Sequence, residues 1–280
     1  MHGAHSVFMP GSIAEALALV AENNAVPLAG ATWILRAPLR REPLADAYVA
    51  LRDVAALRAV EIREHEISIG AAVTHAALAA ALHGLPGCAG LAQAAAQAAN
   101  PAVRRVATVG GNLCAVGFAA SDLAPALIAA GAEVEIAAAG AASRRAVEAF
   151  LAERANLPRG WLLTCVFAPR SARLSAHARL PLRKAGDYPV AIVSVSLERT
   201  EQGLARSARI AVGSVEPVAR RWPSLEQALE GRPIEADAAA ALARERADEF
   251  TGRDGVEAPG WYRTQVLPNL VRSAFRRLES

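Results

Sequence analysis

Cysteine is scarce. Cys88, Cys114 and Cys165 are the three thiols in 280 residues. They lie far apart and form no Cys-x-x-Cys pair. Neither a thiolate zinc site nor a cysteine-ligated iron–sulfur cluster can be built from them alone. A sparse, odd count fits a reducing compartment, and each thiol reads as a small buried hydrophobe. Long apolar runs are missing too. The alanine-rich stretch 76–99 is interrupted by Gly84, Pro86, Gly87 and Gly90, and no charge-free run reaches membrane-spanning length. Residues 1–10 hold no apolar core of signal-peptide length. The expectation is a cytoplasmic chain without a membrane span. Basic residues come as scattered pairs, Arg40-Arg41, Arg144-Arg145, Arg220-Arg221 and Arg276-Arg277, never as a run interleaved with aromatics. With a formal net charge of only +3, this disfavours nucleic acid, and the pairs read as solvated surface or partner contacts. No Gly-x-Ser-x-Gly element is present. The chain offers no argued acid, base or nucleophile, so no catalytic side chain is nominated.

What is present points to a folded protein. Hydrophobic residues make up 53% and charged residues 20% of the chain, enough for a sizeable core in two or three domains. Ser12-Ile13-Ala14-Glu15 is a capping-box pattern, and Ile13, Leu17 and Val20 continue it at helical spacing, which predicts a helix from Ser12 to about Asn24. Val26-Pro27-Leu28 is a short apolar run, and 47–51 reads as a strand. Val60-Glu61-Ile62 and Ile67-Ser68-Ile69-Gly70 alternate around Arg63-Glu64-His65-Glu66, which predicts a hairpin. His65 between two glutamates reads as a charged tip rather than a metal ligand, because no second ligand cluster is near it. Thr74 caps a helix to Leu82, and His75 and His83 read as surface polar residues. Residues 90–100 predict a helix of small residues. Residues 123–130 are apolar and helical in pattern, and 133–137 alternate as a strand. Arg144 to Val147 reads as polar chain. Trp161 to Phe167 is a strand stopped by Pro169. Pro169-Arg170-Ser171 marks a boundary between Ala168 and Ala178. Beyond it, Val190–Leu197 and Ala208–Val215 read as strands joined through Glu201-Gln202-Gly203, followed by helices.

Two stretches carry the chemistry. The first is Leu28-Ala29-Gly30-Ala31-Thr32-Trp33, an apolar run opening into a small-residue bend. The second is Asn100 to Asn112, ending Thr108-Val109-Gly110-Gly111-Asn112, with Asp122 and Pro125 shortly after. Small residues in such bends let backbone N–H groups approach a ligand with no Cβ in the way. On residue types alone, each is also an ordinary turn.

Taken together, these residues resemble the flavin subunits of the molybdenum hydroxylases, of the carbon monoxide dehydrogenase and xanthine dehydrogenase type. That family carries Ile-Arg-(x)2-(Ala/Gly)-Thr-Ile-Gly-Gly-Asn, then Asp-(x)2-Pro. Val103-Arg104 and Ala107 to Asn112 match the first pattern, and Asp122 with Pro125 matches the second. The family also has Ala-Gly-Gly-Thr after its second element. Here Ala31 replaces the second glycine, and Trp33 stands where Asp or Ser is common, as a lid or as core. The resemblance covers nearly the whole length. It implies an α+β fold: a two-part FAD-binding domain of the vanillyl-alcohol-oxidase-like kind over 1–170, with subdomains of about 1–57 and 58–170. A smaller C-terminal α+β domain, an antiparallel sheet with helices, would follow over 178–280.

The resemblance also implies the site. Leu28, Ala29, Gly30, Ala31, Thr32 and Trp33, with Thr108, Val109, Gly110, Gly111 and Asn112, would hold FAD, the two bends supplying N–H groups to its diphosphate. Asp122 would accept hydrogen bonds from ribityl or ribose hydroxyls, since a carboxylate repels phosphate. Lys184 would set charge near the flavin, or serve as a solvated base before a strand. Leu163 would touch the flavin ring. A valine at Gly110 or Gly111 would abolish flavin retention while the fold survives. No metal site is implied. Molybdopterin would sit on a large partner subunit and 2Fe–2S clusters on a small one, forming a heterotrimer. This chain would take electrons onto FAD and pass them to an external acceptor, the cofactor supplying the redox chemistry. Two alternatives stand beside this: a stand-alone FAD-linked oxidoreductase, and a flavin-free assembly subunit.

Overall fold

The computed structural model describes residues 5–138, 140–182 and 188–279. Three sheets organise them. The first is parallel and three-stranded, with Ala47–Ala50 between Ser6–Phe8 and Val26–Leu28. Helix Ile13–Glu22 connects the outer strands. Ser12 caps it, accepting from the Glu15 N–H at 3.2 Å, and the Glu15 carboxylate reaches back to the Gly11 N–H at 2.8 Å. The reciprocal bonding written in Ser-x-x-Glu is therefore made, displaced by one residue on the return side.

The second sheet is antiparallel and five-stranded. Its order is Val60–Ile62, Glu66–Gly70, Trp161–Pro169, Glu133–Ala138, Ala141–Ala146. The 60–70 hairpin closes through the Arg63 N–H on the Glu66 carbonyl at 2.9 Å. Helices His75–Leu82, Ala89–Gln97, Val109–Cys114, Leu123–Ala130 and Val147–Glu153 belong to the same unit. Its core is built from apolar residues of 16–168, joined by Ala211 and Ala219.

The third sheet is antiparallel, in the order Arg220–Arg221, Ala205–Gly213, Pro189–Arg199, Leu174–Pro181. Helices Pro223–Leu229, Ala236–Arg244 and Leu267–Arg276 close it around a second core containing Trp222, Phe250 and Phe275. Arg263, fully buried, ties this unit together. It donates to the carbonyls of Val190 at 2.7 Å, Arg253 at 2.9 Å and Ser214 at 3.1 Å, and pairs with Glu257 at 3.2 Å. The architecture is α+β, a two-part first unit followed by a smaller antiparallel sheet with helices, as the sequence predicts.

Several local readings are corrected. Residues 141–146 form a strand, missed because they are an exposed edge paired on one side only. Leu174–Pro181 is a strand that begins inside the expected linker stretch 168–178. His75 is 2% exposed rather than a surface residue: its N–H donates to the Ala107 carbonyl at 2.9 Å, and the preceding Thr74 bridges to Thr108. Cys88 is buried, whereas Cys114 and Cys165 are half-buried. Arg220 and Arg221 are half-buried and paired with Glu216 and Glu226, not solvated. Among the described residues, no helix is long and apolar enough to cross a membrane, and no group of His, Cys, Asp or Glu could hold a metal ion.

Candidate cofactor site

The two bends touch. Gly30 is the contact: a Cβ there would lie 2.0 Å from the Val106 carbonyl oxygen and 2.9 Å from Ala107 Cα. Only a residue without a side chain lets these backbones pass. The chain then turns through Ala31 at φ +60°, in the left-handed region. The N–H groups of Gly30, Ala31, Thr32 and Trp33 make no hydrogen bond among the described residues, and all four residues are half-buried. Unpartnered N–H groups in such a turn can receive an anion.

The second bend differs from its sequence reading. Its N–H groups are engaged within the chain. Val109 donates to Val73 at 2.9 Å, Gly110 to the Ala71 carbonyl at 2.8 Å, Asn112 to Thr108 at 2.9 Å, and Gly111 to the Thr108 hydroxyl at 3.1 Å. Thr108 is the N-cap of the short helix Val109–Cys114. Gly110 serves packing: a Cβ there would lie 2.8 Å from Ala71 Cβ and 2.9 Å from its carbonyl oxygen. A valine at 110 would therefore break the core, and the expectation that the fold survives it is withdrawn. Gly111 is exposed, and a Cβ there would meet only the Thr108 hydroxyl, at 2.9 Å. Arg104, a matched motif residue, holds the carbonyls of Ala98 at 3.1 Å and Ala99 at 2.6 Å, and so fixes the entry to this bend.

Asn112 carries the rim onward, its Oδ1 accepting from Ser121. The neighbouring Asp122 is 3% exposed. Its Oδ1 takes the Arg179 Nε at 2.8 Å and the His177 Nε2 at 3.3 Å, while His177 Nδ1 meets the Ser194 hydroxyl at 2.9 Å. The carboxylate expected to meet flavin hydroxyls is engaged through Oδ1 by the C-terminal sheet and joins the two units. Leu163, 4% exposed, lies in the core rather than on an open face. Lys184 lies outside the described residues.

Trp33 is neither free-standing nor core. Its ring meets Phe118 at 4.8 Å between centroids, and Phe118 meets Tyr188 edge-on at 5.4 Å. Arg40 stacks on Trp33 at 3.9 Å, and Arg36 donates to the Tyr188 hydroxyl at 3.0 Å. The sequence reading missed Phe118, Tyr188, Arg36 and His177, because each is brought here from a distant stretch with no local signal. The thiols take no part: burial pushes Cys114 up to about 12 and Cys165 up to about 11, so both stay protonated.

The donor set fits a dinucleotide diphosphate. It offers neutral N–H groups in a row, a left-handed turn, a backbone cradle without a Cβ at Gly30, and an aromatic wall beside it. It contains no argued nucleophile.

Comparison with known proteins agrees with this geometry. A sequence model of the family described as "FAD binding domain in molybdopterin dehydrogenase" matches residues 3–171. One described as "CO dehydrogenase flavoprotein C-terminal domain" matches 177–278. The medium subunit of nicotine 6-hydroxylase from Paenarthrobacter nicotinovorans is 27% identical over 272 residues, covering 94% of this chain and 93% of that one. A chain of reconstituted CO dehydrogenase from Oligotropha carboxidovorans superposes with a TM-score of 0.86 at 26% identity, covering 100% of this chain and 99% of that chain. A chain of quinoline 2-oxidoreductase from Pseudomonas putida 86 shares the fold, with a TM-score of 0.88 at 24% identity over 98% of this chain and 96% of that chain.

Proposed function

The chain belongs to the FAD-binding family of the molybdopterin dehydrogenases and is a flavoprotein subunit of an oxidoreductase; from that premise we propose that it passes electrons from an iron–sulfur subunit, through FAD, to an external acceptor. A large subunit would carry molybdopterin. The nicotine 6-hydroxylase relative is a medium subunit, which supports a place between a large and a small partner. A related structure, 26% identical to this chain, is that of a Cu,Mo-CO dehydrogenase, which supports molybdenum chemistry elsewhere in such an assembly. Residues 1–170 form the cofactor domain and 178–280 the C-terminal domain in this reading. The sparse thiols fit a cytoplasmic setting.

One observation carries the reading: the free N–H groups of 30–33, set against 106–107 by Gly30. They bind the diphosphate. Thr108 fixes the start of its helix through the Gly111 N–H. Asn112 accepts from Ser121 within the first unit, and Asp122, through Arg179 and His177, holds the C-terminal sheet against it. Trp33 and Phe118 pack against each other beside the bend. When bound, FAD supplies the redox centre that receives electrons and releases them to the acceptor. Purified protein should be yellow and release FAD on denaturation. A colourless preparation that cannot be loaded rejects the proposal. One observation favours a second reading, a flavin-free assembly subunit: Trp33, Phe118 and Tyr188 contact one another beside the bend. Stoichiometric partners without flavin would establish that reading.

A further inference from the structure

Arg40 reaches back over the first bend. Its guanidinium lies over the Trp33 ring, Cζ 3.9 Å from the centroid, and its Nη1 donates to the Trp33 carbonyl at 3.0 Å. One side chain therefore grips residue 33 by its ring and by its backbone. Arg40 is itself fixed. Its Nε and Nη2 both donate to Glu42 Oε2, at 2.9 and 2.6 Å. Those bonds hold the Glu42 carboxyl below the usual carboxylate range.

The local chain path makes this grip possible. Ile34–Arg40 is a 3-10 helix, and Arg41 leaves it in the left-handed region at φ 61°. The Arg41 N–H on the Pro38 carbonyl at 3.1 Å and the Glu42 N–H on the Ala37 carbonyl at 3.0 Å close that turn, which sets Glu42 beside Arg40. The Leu35 N–H also takes the Ala31 carbonyl at 3.1 Å, and the Arg36 N–H takes the Trp33 carbonyl at 3.1 Å. The Ala31 carbonyl and the Thr32 N–H belong to one planar peptide, so holding the first aims the second. Glu42 occupies two of the Arg40 donors and Trp33 a third, so this cation acts on the bend rather than directly on a diphosphate.

We propose that Arg40 is a positioning residue for the cofactor diphosphate: by gripping Trp33 at ring and carbonyl it presets the row of N–H groups at 30–33, and Glu42 locks it in that pose. The inference rests on the flavin reading of this bend. A row of neutral donors binds an anion tightly when it is already in place, since ordering left until binding subtracts from affinity.

The test is the FAD affinity of the full-length, flavin-free chain, read by flavin fluorescence. Arg40→Met should raise the dissociation constant about tenfold, as when roughly a tenth of molecules hold the preset bend. Arg40→Lys should fall between the two, and Glu42→Gln should shift it the same way by less. Arg63→Met, which removes another exposed Arg–Glu pair, in the 60–70 hairpin, should leave it unchanged. The ratio of variant to wild-type constants should hold between about 0.05 and about 0.5 M salt, because positioning is not screened as a direct charge contact is. In flavin-free Arg40→Met, the Trp33 indole N–H resonance, assigned by its loss in Trp33→Phe, should shift or broaden. Unchanged affinity in Arg40→Met, a loss that vanishes at high salt, or an undisturbed indole resonance each overturns the proposal. If Arg40→Met does not fold, Glu42→Gln carries the test, and full affinity there overturns it. Wild-type protein that binds no FAD overturns the flavin reading and this inference with it, whereas wild-type affinity kept by the variant overturns this inference alone.

Discussion

Replacing Gly30 with alanine adds one methyl group at the contact between the two bends. That Cβ would sit 2.0 Å from the Val106 carbonyl oxygen, 2.8 Å from its carbon and 2.9 Å from Ala107 Cα. All three are backbone atoms, so no side chain can swing aside. The bends must separate, at a cost typical of overpacking, about 1–3 kcal/mol. If only the closed arrangement presents the 30–33 N–H groups correctly, the competent fraction falls roughly 5- to 150-fold. The assay is the FAD-to-protein ratio after gel filtration, with thermal unfolding of the same samples. Gly30→Ala should lose most of its flavin and melt earlier. An alanine variant with full flavin content and an unchanged melting temperature would refute the contact as the organising feature of the site.

Gly111→Val should fold and lose flavin, at a capping cost of about 1 kcal/mol, whereas Gly110→Val should fail to fold; circular dichroism and flavin content separate the two. If both fold and keep flavin, the second bend is no part of the site. Burial drives the His75 imidazole from 6.5 down to about 4, against the charge of Asp122 and the neighbouring Thr108 backbone. The unfolded chain therefore binds a proton below 6.5 that the folded chain refuses until about 4, so stability falls as pH drops through that window, by up to about 3 kcal/mol. His75→Leu should flatten that part of the stability–pH curve, and an unaltered slope in denaturant titrations would contradict the assignment. Arg263→Met leaves the carbonyls of Val190 and Ser214 without their buried donor and should destabilise by about 3–5 kcal/mol in urea unfolding. A loss below about 1 kcal/mol would show that the arginine is dispensable.

Local signals were the legible ones. Ser12 and Thr74 announce their helices because a hydroxyl cap is a short-range bond, and each accepts the N–H three residues on. The 60–70 hairpin is legible because alternation and a polar tip are contiguous. The small-residue bends are legible in position but not in role. Nothing in Thr-Val-Gly-Gly-Asn says that Ala71 and Val73 will occupy its N–H groups, since those partners come from another element. The engagement of Asp122 by His177 and Arg179 is likewise not legible, since they come from a strand 55 and 57 residues away. Tyr188 meets Arg36 across 152 residues. Burial of His75 is invisible for the same reason, because the 107–108 segment that pairs with Thr74 and His75 is distant in sequence.

Backbone hydrogen exchange tests the central claim most directly. The amides of 30–33 lack acceptors among the described residues, whereas those of 109–112 are engaged within the chain. In flavin-free protein, 30–33 should exchange fast and 109–112 slowly. Adding FAD should slow 30–33 strongly and change 109–112 little. If FAD binds and the 30–33 amides exchange as before, the diphosphate lies elsewhere and the account fails.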